Sequence, residues 1–299
     1  MAGRRLLITG ATGKQGGALI EALRARSAPF GILALTRNAS SSGAKALAAK
    51  PNVTVVEGNI KTPATIFESY KPIYGVFCVT ALTPGKENDE EAQAIPLIDA
   101  AIKNGVEHFV FTSVERGGDD ASEKNPTNIP HFASKHRIEK YMKEQIAAKG
   151  SKMEWTILRP VAFMDNLTPN FMGKGFASMW AGVGDKPLQL ISCRDIGVFG
   201  ARAFIDPEAY KGRAISLAGD ALTLQQGKEV FKDAVGYPMP ETFGFVGSGI
   251  KFMSKEMGTM FQWFKDVGYG VDIPALRKEE PQLQDFGTWL KQSSGFRKE

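Results

Sequence analysis

Cysteine and histidine are scarce in this sequence. Two cysteines, Cys78 and Cys193, and three histidines in 299 residues are too few for a disulfide framework, and no spacing suits a metal site. Long apolar runs are missing as well, none approaching the roughly 18 residues of a membrane helix. The N-terminal stretch MAGRRLLITGATG has two arginines, but its apolar run ends after Thr9 in a glycine loop. A secretory signal would need a longer run and a cleavage site, so we read this stretch as a strand. The chain is expected in the cytoplasm, with the nucleus as a second compartment. Repeats and low-complexity segments are absent too. Lysine and arginine exceed the acids by only five and are scattered along the chain. That excludes a striped nucleic-acid surface and leaves a mildly basic one suited to anionic ligands.

What is present is a regular alternation. Apolar, β-branched runs at Arg4–Thr9, Ile32–Thr36, Val53–Glu57, Gly75–Thr80, His108–Ser113 and Trp155–Pro160 read as strands. Most are apolar at nearly every position, as in a parallel sheet covered on both faces. Helical patterns separate them at Gln15–Arg26, Ala44–Lys50, Ala64–Tyr70, Asn88–Lys103 and Phe132–Ala148. The order predicts an α/β fold, a Rossmann-type doubly wound parallel sheet over residues 1–160, with ligands at the carboxyl ends of the strands. Residues 161–299 lose the rhythm and are expected to form a smaller mixed domain closing over that edge. Within them, Arg194–Ile205 reads as a helix packed on the first domain, and Thr223 as the N-cap of another. The Met-, Phe- and Trp-rich stripe over Phe252–Gly270 reads as core. Ser40–Gly43 and Gly117–Thr127 are the expected mobile loops.

The strongest signal is Gly10-Ala11-Thr12-Gly13-Lys14-Gln15-Gly16, directly after a strand and opening a helix. Gly10 allows the tight turn, Gly13 removes a Cβ from the path of a pyrophosphate, and Gly16 lets the helix approach the sheet. The helix N-terminus then offers N–H groups and a positive dipole end to phosphates. A kinase-type phosphate loop would need Ser or Thr after the lysine; Gln15 stands there. Thr12, Lys14 and Gln15 complete the binding set. The end of the second strand selects the dinucleotide. An NAD site places an acid there, whereas this chain has Leu35-Thr36-Arg37-Asn38. A guanidinium pairs with a 2′-phosphate that a carboxylate would repel. NADP(H) is therefore the expected cofactor, with Arg37 on the 2′-phosphate and Thr36, Asn38 and Lys14 in support.

These residues, with Gly58-Asn59-Ile60, Phe111-Thr112-Ser113, His131-Phe132-Ala133-Ser134-Lys135 and the run Leu158–Asn166, resemble the NmrA-like family of atypical short-chain dehydrogenases/reductases. That family includes a nitrogen metabolite repression regulator and an NADPH-sensing protein. The resemblance implies further contacts. Asn59 and Ile60 would flank the adenine, although the family more often has Asp at the Asn59 position. Thr80 and Ala81 would run beside the central phosphates and ribose, Lys135 would reach the nicotinamide ribose, and Val161 to Phe163 would lie along the ring. Asn166 would face the cleft or serve only as a turn residue.

Ordinary short-chain dehydrogenases use Tyr-x-x-x-Lys; here Lys135 is kept and His131 replaces the tyrosine. A histidine can donate a proton near neutral pH, and Ser113 stands where such enzymes orient substrate, so the candidate catalytic set is His131, Lys135 and Ser113. His108 and His136 read as structural. Two functions follow. One is an NADP(H)-sensing regulator with a regulatory protein partner. The other is an NADPH-dependent reductase of a quinone, enone or other apolar carbonyl, its cleft lined by Phe163, Met164 and Trp180. The sequence leaves the oligomeric state open, a homodimer included; direct nucleic-acid and membrane contacts and a metal are not expected.

Overall fold

The computed structural model describes residues 3–83, 89–240 and 255–296. The six expected runs form β1 (Arg4–Ile8), β2 (Phe30–Thr36), β3 (Val53–Glu57), β4 (Gly75–Cys78), β5 (His108–Thr112) and β6 (Glu154–Pro160). The helices among them are α1 (Lys14–Ala25), α2 (Ser42–Ala48), α3 (Ala64–Tyr70), α4 (Asp89–Lys103), α5 (Asp119–Lys124) and α6 (Pro130–Ala148). Asn88, the expected start of the fourth helix, lies outside the described residues. Farther along come β7 (Ala162–Phe163), α7 (Phe171–Ala181), β8 (Leu188–Ile191), α8 (Cys193–Ile205), α9 (Pro207–Tyr210), β9 (Arg213–Leu217), β10 (Asp220–Leu222) and α10 (Leu224–Val235). Three more helices span Lys255–Asp266, Ile273–Glu279 and Phe286–Gln292.

The large sheet has the order β3-β2-β1-β4-β5-β6-β9. Strands β1 to β6 pair in parallel, with Ile8 opposite both Ala34 and Phe77. Alternate side chains feed two cores, which is why the strands read as unbroken apolar runs. Leu7, Leu35, Cys78 and Phe111 pack with Leu97, Ile98 and Ala101 of α4 and Ile138 and Met142 of α6. Burial pushes the Cys78 thiol up to about 12, so it behaves as a small apolar side chain.

The chain divides into two compact units. The first comprises Met1–Ser113, His131–Arg159 and Ile196–Ile215; the second comprises Val114–Pro130, Pro160–Asp195 and Ser216–Glu299. Residues 114–130 thus group with the C-terminal part, and most of α8 groups with the strands.

The second unit has its own mixed sheet, β10-β8-β7, with β8 parallel to β7 and antiparallel to β10. Thr223 caps α10 in a reciprocal capping box with Gln226, and Gly236 ends that helix at φ +97°. Trp180 is fully buried between Phe176 and Phe286, with ring centroids 6.3 Å and 6.0 Å away. Met164 is fully buried too. Both are core residues of this unit, which corrects the expectation that they line a cleft. In the C-terminal stripe Phe261, Trp263 and Phe264 are buried, while residues 252–254 lie outside the described residues. The expected Gly117–Thr127 loop is also more ordered than its composition suggested. It contains α5, and the buried Glu115 carboxylate accepts the N–H groups of Gly117 and Gly118.

Candidate functional site

In the sheet order, winding reverses between β1 and β4, the place where open α/β sheets bind ligands. Thr9 fastens this point: its Oγ1 donates to Val79 O at 2.9 Å and accepts the Val79 N–H at 2.7 Å. The chain then turns through Gly10 at φ +57°, a left-handed conformation that favours glycine. Gly13 is the N-cap of α1, its N–H held by Gly10 O at 2.9 Å. A Cβ on Gly16 would come within 2.4 Å of Gly10 O, so only glycine lets α1 pack this close. The first turn of α1 contains no acid and no capping side chain. The positive end of the α1 dipole is thus not offset by an acid in the first turn, and the Gln15 Oε1 is buried without a hydrogen-bond partner among the described residues. Thr12 is exposed, and a Cβ on Gly43 would stand 3.5 Å from the Thr12 Cβ, which brings the α1 turn beside the start of α2.

The β2–α2 turn is held by side chains. Thr36 Oγ1 accepts the Asn38 N–H at 3.2 Å, Asn38 Oδ1 accepts the Ser40 N–H at 2.8 Å, and Ser41 caps α2 through the Ala44 N–H. Arg37 is exposed at the end of β2 and makes no ion pair among the described residues. Glu57, the last residue of β3, is the register partner of Thr36, and its Oε2 accepts the Ala39 N–H at 2.8 Å. A carboxylate from the neighbouring strand thus reaches the turn after β2.

Beyond β3, Asn59 is exposed and its Oδ1 accepts the Lys61 N–H at 3.0 Å; Ile60 is half-buried against the core. Lys61 forms an ion pair with Asp89, and hydrogen bonds from Lys61, Thr83 and Gln93 hold the Asp89 carboxyl down to about 2. Gln93 clamps Ala81 at both backbone positions, accepting its N–H at 2.9 Å and donating to its carbonyl at 2.8 Å. The first turns of α4 therefore brace the loops after β3 and β4. Pro96 stands within the same helix, just beyond Gln93.

The three candidate catalytic residues fall into separate arrangements. Lys135 is buried, and its ammonium has three partners: Thr80 Oγ1 at 2.6 Å, Thr112 O at 3.1 Å and Glu90 Oε1 at 3.1 Å. Thr80 in turn donates to Glu90 at 2.8 Å. Ser113 donates instead to the buried Glu139, whose Oε2 pairs with Arg159 Nη2 at 2.6 Å. His131 is half-buried in the first turn of α6, edge-on to Phe132 with centroids 4.7 Å apart. Of the remaining expected residues, Val161 is buried, its N–H on Leu217 O at 3.1 Å, and Phe163 is half-buried, opposite Ile191 in the small sheet. Both belong to the second unit, as does the exposed Asn166.

The sequence reading missed Glu57, Asp89, Glu90, Gln93, Glu139 and Arg159. One signal was available: Glu90 and Gln93 are three residues apart, on one face of the helix that follows β4.

The NmrA-like family model matches residues 3–290. The chain belongs to the NmrA-like family. The nitrogen metabolite repression protein of Neurospora crassa is 28% identical over 319 residues, covering 94% of this chain and 61% of that protein, so the chain spans about three-fifths of its length. The NAD(P)H azoreductase of Xenophilus azovorans is 27% identical over 238 residues, covering 78% of this chain and 75% of the azoreductase. Among solved structures, the Citrobacter sp. triphenylmethane reductase complexed with NADP(H) shares the fold at a TM-score of 0.74 and 17% identity, over 97% of this chain and 99% of that one. The relatives of this chain thus include a protein named for repression and another named for reduction. No helix among the described residues is long and apolar enough to cross a membrane, and no cluster among them suits a metal ion.

Proposed function

We propose that this NmrA-like protein binds NADP(H) and acts as a redox-sensing regulator, reading the NADPH/NADP+ balance and passing it to a partner protein. The glycine loop and the α1 amides, with Thr12, Lys14 and Gln15, would hold the pyrophosphate. Arg37, with Thr36 and Asn38, would take the 2′-phosphate. Asn59 and Ile60 would flank the adenine, Thr80 and Ala81 the central ribose and phosphates, and Lys135 the nicotinamide ribose. The observation that carries the regulator reading is the state of the catalytic set. Lys135 has its three donors on Thr80, Glu90 and Thr112, Ser113 is tied to Glu139, and the motif tyrosine is replaced by His131. A phosphate-binding loop is retained while the proton-handling groups are engaged elsewhere.

A ligand shifts a conformational equilibrium only through different affinities for the two states. NADPH should therefore alter hydrogen exchange and either self-association or partner affinity, by about 5–150-fold. Hydrogen exchange and sedimentation of the free and NADPH-saturated protein test this, with a homodimer among the states resolved. Unchanged behaviour in both would reject the sensor.

The second reading is an NADPH-dependent reductase of a quinone, enone or other apolar carbonyl. It is favoured by the azoreductase relative and by His131 at the start of α6, four residues before Lys135. When bound, NADPH supplies the hydride, and His131 would be left to deliver the proton. Loss of NADPH absorbance against quinones, enones and azo dyes tests it. If turnover is seen, His131→Phe should reduce it by ~10²–10⁴-fold with NADPH affinity retained.

A further inference from the structure

The amides of the β2–α2 turn are already taken. The Asn38 N–H donates to Thr36 Oγ1 at 3.2 Å, the Ser40 N–H to Asn38 Oδ1 at 2.8 Å and the Ser41 N–H to Asn38 O at 3.4 Å. These acceptors are neutral oxygens from the turn itself. The Ala39 N–H differs, because it donates at 2.8 Å to the carboxylate of Glu57, brought in from β3. Register explains how it arrives: Thr36 and Glu57 are partners at the carboxyl ends of β2 and β3. Neither Glu57 nor Arg37 forms an ion pair among the described residues, so the guanidinium does not neutralise the carboxylate through a salt bridge.

We propose that Glu57 is a specificity-setting residue of the cofactor site, a resident carboxylate that holds an amide of the 2′-phosphate turn and narrows the preference for NADP(H) over NAD(H). The inference rests on the cofactor reading above. A 2′-phosphate entering this turn meets both the Arg37 cation and the Glu57 anion. The ribose of NAD(H), with a neutral 2′-hydroxyl, carries no charge at that position for the carboxylate to repel. Specificity is a difference between two affinities, and a repulsive group changes it as surely as an attractive one. Arg37 raises the discrimination, and Glu57 lowers it.

Glu57→Gln tests the idea directly, since the amide keeps an oxygen for the Ala39 N–H and loses only the charge. Calorimetric titration of wild type and variant with NADPH and NADH should show NADPH binding about tenfold tighter in the variant and NADH changed by less than about twofold. The thermal midpoint should stay put. Glu57→Lys should raise the NADPH-to-NADH ratio further, and serves as the second variant if the glutamine form does not fold. A role confined to shaping the turn predicts loss or no change, never a selective gain. A ratio unmoved or lowered in both variants overturns the proposal while leaving the cofactor reading intact. Wild-type protein that binds neither cofactor overturns both.

Discussion

Lys135 Nζ stands 3.1 Å from Glu90 Oε1 inside the first unit, and the Thr80 hydroxyl touches both. Their side chains are only 11% and 6% exposed. A buried pair of this kind adds little net stability over apolar replacements, but removing one partner strands the other charge. The second Glu90 oxygen already lacks a hydrogen-bond partner among the described residues. Lys135→Met should therefore cost about 3–5 kcal/mol. The double variant Lys135→Met/Glu90→Gln should recover part of that loss. Urea unfolding of the two forms and the wild type checks it, and additive losses would mean the two groups are not coupled.

Arg37→Ala should remove most of any NADP(H) preference and leave NAD(H) affinity almost unchanged. A charge-assisted contact is worth about 1.5–3 kcal/mol, or one to two powers of ten in affinity. Titration with both cofactors reads the result directly; equal affinities already in the wild type would sink the assignment of Arg37.

The glycine loop separates binding from folding. At Gly13 a Cβ would meet only Gly10 O, at 3.2 Å, and the backbone φ of −93° suits any residue. Gly13→Val should therefore fold and lose affinity for both cofactors. At Gly16 the added carbon would come within 2.4 Å of Gly10 O, so Gly16→Ala should lower the thermal midpoint as well. Circular dichroism melts paired with titration distinguish the two, and a Gly13→Val protein that still binds would show the loop has been misread.

His108 makes stability depend on acid. Its Nε2 bonds Thr156 Oγ1 at 2.8 Å, Nδ1 is buried without a partner among the described residues, and burial lowers the imidazole from 6.5 to about 4. The folded form holds the neutral ring, whereas the unfolded chain takes up a proton near its ordinary value. This contribution is complete above pH 6.5 and is lost as pH falls toward 4, amounting to about 3 kcal/mol. Unfolding free energies of wild type and His108→Gln across this range should converge at low pH. Parallel curves would assign the acid sensitivity to other groups.

The parallel strands were legible because each is buried on both faces and reads as a continuous apolar run. The first βα turn was legible because Gly10 and Gly16 meet steric demands that other residues cannot meet. Contacts between the ends of different strands were not. Glu57 looks like any acid at a strand end until register places it opposite Thr36. Glu90 and Gln93 gain their meaning only when α4 lies against the end of β4. Met164 and Trp180 were misassigned because an apolar stripe has the same composition whether it lines a cleft or fills a core. The Gly117–Thr127 segment looked mobile from its polar, glycine-rich composition, and a buried carboxylate next to it in sequence supplies the order.

Pro96 gives α4 two mechanical halves. Proline has no N–H to donate to the Ala92 carbonyl, so one rung of the helix ladder is missing between them. Asp89, Glu90 and Gln93, which hold Lys61, Lys135 and Ala81, lie before that gap. Leu97, Ile98 and Ala101, which anchor the helix in the core, lie after it. Fraying that begins at Asp89 therefore meets a natural stop, and the opening it needs is far smaller than global unfolding. The amides of residues 90–95 should exchange with solvent through this local route, on a faster clock than those of 98–103. Opening of the brace over the loops after β3 and β4 should leave the amides of the sheet beneath it protected.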